Sequence, residues 1–177
     1  MKQLQMLKSD GKRFPDTLPD GYSYVTHRND LVDDWLFLSG LIGGNWTKED
    51  FQNKMLGREG IYPEGIFYII DGENEIIGTA TGIIDTTSKK GNLHMVAVKE
   101  SHRSKGLSVP LCAKVVNYLL DNEMEKIDLS TDDFRIPAIK AYLKLGFIPL
   151  LIDDTMSGRW RELAEKINYP KILEYLD

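Results

Sequence analysis

The sequence has little of what builds metal and disulfide sites: its 177 residues include one cysteine and three histidines. A single thiol, Cys112, excludes an internal disulfide and a cysteine-based zinc site, and three scattered histidines do not predict a metal site. No apolar run approaches the roughly 20 residues that span a bilayer, and residues 1–15 are too polar for a signal peptide. We therefore expect a cytoplasmic protein with no metal and no membrane partner.

Positive charge is also in short supply, with Lys and Arg at 22 against Asp and Glu at 27, a net charge of −5. Nucleic acids are bound through basic surfaces, so the charge argues against a nucleic-acid partner. A substrate that carries an amine suits an acidic chain better. The length predicts one domain, residues 1–177, which can bury roughly 70% of its unfolded surface without a metal or disulfide.

Hydrophobic periodicity and turn residues divide the chain into short strands and helices. The predicted strands span residues 21–27, 65–70, 75–84, 92–98, 126–131 and 147–152, and the predicted helices span 29–42, 47–56, 109–122 and 137–145, before a mixed helical tail at 158–176. Asn29 or Asp30 is expected to cap the first helix and Thr47 the second. This order predicts an α/β (α+β) fold, a mixed sheet with helices on both faces and a ligand site beside the third helix.

A basic loop joins the fourth predicted strand to the third helix. Backbone N–H groups at a helix start are free and bind anions, and Gly106 permits a close approach of the backbone. Ser108 is expected to cap the helix, Pro110 fits its first turn, and Arg103 and Lys105 add charge. The loop alone is compatible with two interpretations: a site for a phosphate-bearing ligand, or a solvated basic turn.

A second stretch, residues 137–147, contains a predicted helix that is followed by Gly146 and Phe147. Together the two stretches resemble the GCN5-related N-acetyltransferase (GNAT) superfamily. The cofactor loop of that family, Arg/Gln-x-x-Gly-x-Gly/Ala, is matched by Arg103, Gly106 and Ser108. Its later helix, Asn-x-x-Ala-x-x-x-Tyr-x-x-x-Gly-Phe, is matched by Ala138, Tyr142, Gly146 and Phe147. The resemblance is close over about residues 92–147.

The resemblance implies acetyl-CoA as cofactor, CoA as product and a mainly antiparallel sheet of about six to seven strands that splits between the fourth and fifth. Residues 92–147 would form the cofactor-binding core, and helices within 29–57 would face the acceptor. The backbone of one strand would pair with the pantetheine arm, at Val96, Ala97 and Val98. The N–H groups of the loop would hold the pyrophosphate, at Ser104, Lys105, Gly106, Leu107, Ser108 and Val109.

Tyr142 would stand beside the thioester sulfur in such an enzyme. A phenol with a pKa of about 10 is protonated at pH 7 and can donate to a thiolate with a pKa of about 8.5. The alternative is a half-buried helix tyrosine with a packing role. Arg135 replaces the asparagine of the family pattern, and either contacts the cofactor or faces solvent.

The sequence does not identify the general base. Relatives often place a glutamate at the positions of Asn92 and Ser130, where this chain has no carboxylate. His94 shares a strand face with Asn92 if no bulge intervenes, and a histidine can deprotonate an ammonium. A packed or solvent-facing histidine is the alternative, and a weakly basic amine needs no base.

Acceptor specificity is expected from the first two helices, where aromatic and acidic residues could hold a cationic amine. The set is Trp35, Asn45, Trp46, Phe51, Tyr62, Asp33, Asp34, Glu49 and Asp50; core packing and a solvated face are the competing interpretation. The leading hypothesis is an acetyl-CoA-dependent N-acetyltransferase that acts on a small amine, an amino acid or a peptide amine. A non-catalytic acyl-CoA-binding or regulatory module is the alternative, and the oligomeric state, including a homodimer, is open.

Overall fold

The structure, a computed structural model, describes residues 2–176. Seven strands form one sheet: β1 (Leu4–Lys8), β2 (Ser23–Thr26), β3 (Ile66–Ile70), β4 (Ile76–Asp85), β5 (Lys90–Val98), β6 (Lys126–Thr131) and β7 (Ile148–Leu150). Their spatial order is β2-β3-β4-β5-β6-β1-β7. β5 and β6 are parallel and the other neighbours are antiparallel. The predicted mixed, mainly antiparallel sheet is confirmed.

No strand is expected before residue 21, and this expectation is wrong, because β1 lies between β6 and β7 and pairs with both. Gln5 sits opposite Ser130 on one side and Leu150 on the other. Leu4 and Met6 are fully buried, which is the alternation of a strand with one core face. The first strand of the chain therefore joins the last two strands into one sheet.

The helices are α1 (Val32–Gly40), α2 (Lys48–Asp50), α3 (Ser108–Asp121), α4 (Ile136–Lys144) and α5 (Thr155–Lys166). A π-helical segment continues α2 over Phe51–Leu56, and 3₁₀ turns cover Asn29–Leu31, Pro63–Gly65, Glu100–His102 and Pro170–Tyr175. Gly146 follows α4 with φ +82°, the left-handed conformation expected of a glycine past a helix end. Within residues 2–176 no helix has the length and apolar character needed to cross a membrane.

The predicted caps differ in outcome. Thr47 caps α2 as expected, since its hydroxyl accepts from the Asp50 N–H while the Asp50 carboxylate accepts from the Thr47 N–H. Asn29 and Asp30 do not cap α1: they lie in the 3₁₀ turn before it, and the cap residue, Leu31, makes no side-chain bond. The helical region therefore begins with a 3₁₀ turn, which hydrophobic periodicity alone does not distinguish from the first turn of an α-helix.

Two apolar clusters lie on opposite faces of the sheet. Residues of α3, α4 and α5 pack in one cluster with alternate strand residues such as Phe67 and Ile69. Residues of α1 and of the π-helical segment Phe51–Leu56 pack in the other with the intervening residues, such as Ile66 and Tyr68. Successive strand residues point to opposite faces, so the helices cover both faces, as predicted.

Candidate active site

The sheet opens where its parallel strands stop pairing. The β5–β6 ladder runs over three residue pairs and ends at Asn92 opposite Asp128. Beyond it, on the side of β6, no strand of residues 2–176 pairs with residues 93–98. Met95 has φ +52° where the β4–β5 register shifts, and a bulge of this kind bends the strand that carries it. The expected split between the fourth and fifth predicted strands is therefore present, as the gap between β5 and β6.

Two adjoining cavities occupy this split. The larger, about 410 Å³, runs from the loop before α3 to α4 and is lined by Leu41, Ile42, Val96, Ala97, Val98, Arg103, Ser104, Ser108, Cys112, Phe134, Arg135, Pro137, Ala138, Ala141 and Tyr142. The smaller, about 260 Å³, is lined by Gln3, Ile42, Asn92, Leu93, His94, Met95, Val96, Ser130, Thr131, Arg135 and Tyr142. Ile42, Val96, Arg135 and Tyr142 border both cavities. The two spaces therefore meet at these four residues.

The loop before α3 presents a run of free donors. None of the N–H groups from Ser104 to Val109 has an acceptor within residues 2–176. Ser104 and Gly106 have φ +63° and +77°, and such left-handed residues turn successive N–H groups toward one side. With the α3 dipole behind them, these donors form an anion-binding concavity.

The side chains of the loop divide into two groups. Arg103, Ser104 and Ser108 line the larger cavity, whereas Lys105 and Gly106 are exposed and Leu107 is buried in the core. Ser108 does not cap α3, contrary to expectation, because it is already the first helical residue and the cap position is Leu107. Its hydroxyl is thus left facing the cavity rather than bonded to the helix.

Tyr142 stands where the two cavities meet, on α4. The residue is 6% exposed, and its hydroxyl has no hydrogen-bond partner within residues 2–176. Burial raises the pKa of the phenol, with Arg135 acting in the opposite direction. The group is therefore a protonated, unused donor at neutral pH.

Arg135 ties the two walls of the cleft together. Its Nε donates to Asp132 at 2.8 Å and its Nη2 to the carbonyl of Ile42 at 2.8 Å. The second bond links the start of α4 to the segment after α1, across 93 positions of sequence. Nη1 has no bond within residues 2–176. Arg135 thus borders both cavities with one pair of donors still available.

His94 borders the smaller cavity together with Asn92, as strand alternation predicts, because the bulge comes only after His94. Burial lowers the pKa of His94 to about 4, and the charge of Arg58 adds to the effect. The imidazole is therefore neutral at pH 7 and only weakly basic. The other two histidines lie elsewhere: His27 is bonded to Tyr68 at 2.9 Å, and His102 to Ser101 at 3.0 Å.

Carboxylates stand behind the cavity walls rather than in them. Asp128 accepts from Asn92 at 2.6 Å and pairs with Lys90 at 2.5 Å. Ser130, one of the expected base positions, exchanges hydrogen bonds with Gln5. Among residues 2–176, therefore, no carboxylate lines either cavity, and Asp128 is already bonded.

The aromatic and acidic residues of the first two helices do not line the split. Trp35 and Phe51 are fully buried in the core, 4.7 Å apart between ring centroids. Asp33 pairs with Lys48 on the exposed face at 2.8 Å, and Asp50 serves the helix cap. Trp35 and Phe51 therefore pack in the core, Asp33 and Asp50 are bonded on the solvated face, and the α1–α2 region reaches the cavities through Leu41 and Ile42 instead.

The cavity residues that the sequence did not indicate include Gln3, Ile42, Thr131 and Phe134. Gln3 precedes β1, whose residues Leu4, Met6 and Lys8 are buried, but with a lysine in this set the sequence shows no complete apolar alternation that could have placed Gln3. Ile42 follows α1 and reaches the split through its carbonyl bond with Arg135. No sequence spacing indicates that contact, because it depends on how the elements pack.

Comparison with known proteins gives a consistent result. The family model described as the Acetyltransferase (GNAT) family matches residues 28–147. Among curated proteins, the mycothiol acetyltransferase of Tsukamurella paurometabola is 27% identical over 59% of this chain and 38% of its own length. The N-alpha-acetyltransferase 30 of Xenopus laevis is 28% identical over 49% of this chain and 33% of its own. The chain thus spans little more than a third of these relatives.

Solved structures share the fold. A GCN5-related N-acetyltransferase from Sphaerobacter thermophilus matches with a TM-score of 0.66 and 18% identity, over 85% of this chain and 50% of that one. The ribosomal-protein-S18-alanine N-acetyltransferase of Escherichia coli matches with a TM-score of 0.59 and 14% identity, over 71% and 76%. At such identities the likeness concerns the fold.

Proposed function

The chain belongs to the acetyltransferase (GNAT) family, and on that premise we propose that it is an acetyl-CoA-dependent N-acetyltransferase. It moves an acetyl group to the primary amine of a small molecule, an amino acid or a peptide, by direct attack while both substrates are bound. One observation carries the proposal: the unbonded N–H groups of Ser104–Val109 open onto a cleft that leads along β5 to an unbonded tyrosine hydroxyl.

The residues present fit acetyl-CoA. The loop donors with Arg103 would hold the pyrophosphate, and the unpaired side of residues 96–98 would bond the pantetheine amides as a strand partner would. Leu41, Phe134 and Pro137 give the larger cavity an apolar lip. When bound there, acetyl-CoA would supply an acetyl group activated as a thioester.

Tyr142 is the group that would protonate the leaving sulfur. Its raised pKa keeps the proton on the phenol at neutral pH, and a phenol can still give that proton to a thiolate once negative charge develops beside it. Its position between the two cavities places the proton where a donor site and an acceptor site meet.

The amine would enter the smaller cavity, where His94 is the candidate base. Because the pKa of His94 is about 4, the imidazole is free to accept a proton at pH 7 but holds it weakly. Its role would therefore be to orient the amine or pass a proton to water rather than to extract one from a strongly basic ammonium.

The alternative function is a non-catalytic acyl-CoA-binding or regulatory module. One observation favours it: the described residues that line the smaller cavity include no carboxylate, and the one histidine there is a weak base. Such a module would bind acetyl-CoA in the larger cavity and transfer nothing.

Tyr142→Phe separates the two functions. For the enzyme, turnover measured as CoA release should fall at least about 100-fold, the ordinary contribution of a positioned acid, while the Kd for acetyl-CoA changes less than about twofold. Tyr118→Phe is the matched control, because Tyr118 packs on Phe67 away from the cleft and should leave both values unchanged. Unchanged turnover in Tyr142→Phe would remove the residue from the mechanism, and acetyl-CoA binding with no acetylated amine by mass spectrometry would favour the module.

A further inference from the structure

The wall of the smaller cavity carries no free negative charge. Among the described residues, the eleven that line it include no Asp or Glu, and the one permanent charge, on Arg135, is paired with Asp132 at 2.8 Å. A second cation, Arg58, lies close enough to His94 to act on its titration. The remaining polar lining is neutral: Gln3, Asn92, Ser130, Thr131, His94 and Tyr142.

Two carboxylates are hydrogen-bonded to lining residues, and both are occupied. Asp132 accepts from Gln3 at 3.0 Å and from Arg135 at 2.8 Å, and Asp128 is held by Asn92 and Lys90. Each is bonded to a residue of the cavity wall from behind, so neither presents a free oxygen to a ligand. A ligand with several positive charges would lose its hydration here and gain no counter-charge.

The lack of a free counter-charge acts on the acceptor amine itself. Only the neutral amine has the lone pair that attacks, and desolvation without a free carboxylate lowers the pKa of a bound ammonium. Because the candidate base in the cavity is weak, the rate of acetylation depends on the fraction of the free amine that is already neutral. A peptide α-amine has a pKa near 7.7–8.0 and a lysine-type amine near 10.4, so at pH 7 the neutral fraction of the former is about 300 times larger.

We propose that the acceptor is a peptide α-amine, the amino group of a first residue followed by an amide carbonyl, and not a polyamine, an aminoglycoside or a lysine side chain. The inference rests on the proposed acetyltransferase function and names its substrate class. The amide oxygen beside the α-amine is the neutral acceptor that the free Nη1 of Arg135 can bond. A polycation offers no such acceptor and finds no free carboxylate in the cavity wall to pair with.

The transfer balances without a strong base. The ammonium loses one proton to water on entry, and its lone pair forms the N–C bond to the acetyl carbon as the C–S bond breaks. The nitrogen then gives a second proton to water, directly or through His94. The sulfur takes one proton from Tyr142, which recovers it from solvent.

The test compares amines in matched form at pH 7 and low salt. The probes are a short lysine-free peptide with a free N-terminus, the same length of peptide with its N-terminus blocked and one lysine added, spermidine and kanamycin. CoA release gives kcat/KM, and mass spectrometry locates the acetyl group. We expect kcat/KM for the free N-terminus to exceed that of the lysine peptide by at least about 100-fold, in line with the neutral fractions. It should also exceed the values for spermidine and kanamycin, which have no amide oxygen beside the amine and find no free carboxylate in the cavity wall. An equal or larger value for the lysine peptide, spermidine or kanamycin overturns the proposal.

Binding keeps this test separate from failure of the proposed function. If no probe is acetylated, the same four compounds are titrated into the CoA-saturated protein while the NMR signals of Asn92 and His94 are followed. Shifts caused by the free-N-terminus peptide and not by spermidine support the acceptor class even then. Shifts caused by spermidine or kanamycin alone overturn it.

Charge reversal at Arg58 tests the electrostatic part. Arg58→Glu should raise kcat/KM for spermidine relative to the peptide by at least about fivefold, because it replaces the cation that acts on His94 by a carboxylate. Lys166→Glu, at the end of α5, changes the net charge equally at a distance and should leave the ratio unchanged. An unchanged ratio in Arg58→Glu contradicts the role given to this charge.

Discussion

Asn92 joins β5 to β6 through Asp128: its Nδ2 donates to Oδ1 at 2.6 Å and approaches the main-chain oxygen of the same residue at 3.3 Å. This pair is the last in the parallel ladder, so the bond marks the vertex at which the sheet opens. The floor of the smaller cavity is therefore held by a hydrogen bond to a charged acceptor, which is stronger than one between neutral groups.

Replacing Asn92 by Ala should lower the free energy of unfolding by about 1–2 kcal/mol, because the half-buried carboxylate of Asp128 loses one of its partners. Denaturant unfolding measures the loss. Asn45→Ala is the control, since Asn45 is exposed and should change stability by less than about 0.5 kcal/mol. Equal effects of the two substitutions would mean that the Asn92–Asp128 bond does not hold the vertex.

Gln5→Pro tests the position of β1. A proline inside a strand that is paired on both sides removes a ladder bond and is expected to cost about 3 kcal/mol or more. Gln5→Val keeps the backbone N–H and favours a strand, so it should cost far less in the same unfolding experiment. If the proline variant is as stable as Gln5→Val, β1 does not lie between β6 and β7.

Stability should fall as the pH drops from about 6.5 toward 4. An unfolded histidine takes a proton near pH 6.5, whereas folded His94 has a pKa of about 4, so between these values the unfolded chain binds more protons. The loss is at most about 3 kcal/mol, and burial lowers the pKa of His27 with the same sign. His94→Gln should flatten the pH dependence; an unchanged pH dependence in this variant would contradict the burial of His94.

Gly106→Ala should weaken acetyl-CoA binding by roughly tenfold, an effect of about 1.4 kcal/mol. The methyl group has open space, with Pro19 the nearest neighbour at 3.9 Å, so the effect comes from the φ of +77°, which costs a side chain about 1–2 kcal/mol. Gly158→Ala, in α5 with no atom within 4 Å of the added carbon, should leave the Kd unchanged. A normal Kd in Gly106→Ala would show that the loop conformation does not set the affinity.

Much of the fold follows from the sequence because most elements carry a local signal. The strand at Lys126–Thr131 coincides with its predicted bounds, and α3 and α4 lie within one residue of theirs. β1 carries no such local signal, because its five residues end on Lys8, a buried lysine that pairs with Asp10. A strand with a charged residue on its core face shows no complete alternation, and only its place between two distant strands stabilises it.

The candidate site, too, could be predicted from the sequence only in part. The loop at residues 103–108 and Tyr142 are expected from local patterns and from family resemblance, and both border the split. The acceptor side could not be predicted, because Trp35 and Phe51 have the same helical spacing whether they face a core or a ligand. The bond between Arg135 and the Ile42 carbonyl depends on the packing of α1 against the start of α4, which no spacing encodes.

The most direct test of the account is a titration with acetyl-CoA in which the amide NMR signals of Ser104–Val109 are followed. The account predicts that these six signals move together and reach saturation in the micromolar range, because free N–H groups at the start of α3 take the pyrophosphate. Signals that stay in place at millimolar acetyl-CoA would contradict this prediction. The chain would then have the fold of the family, with its split sheet, but no cofactor site.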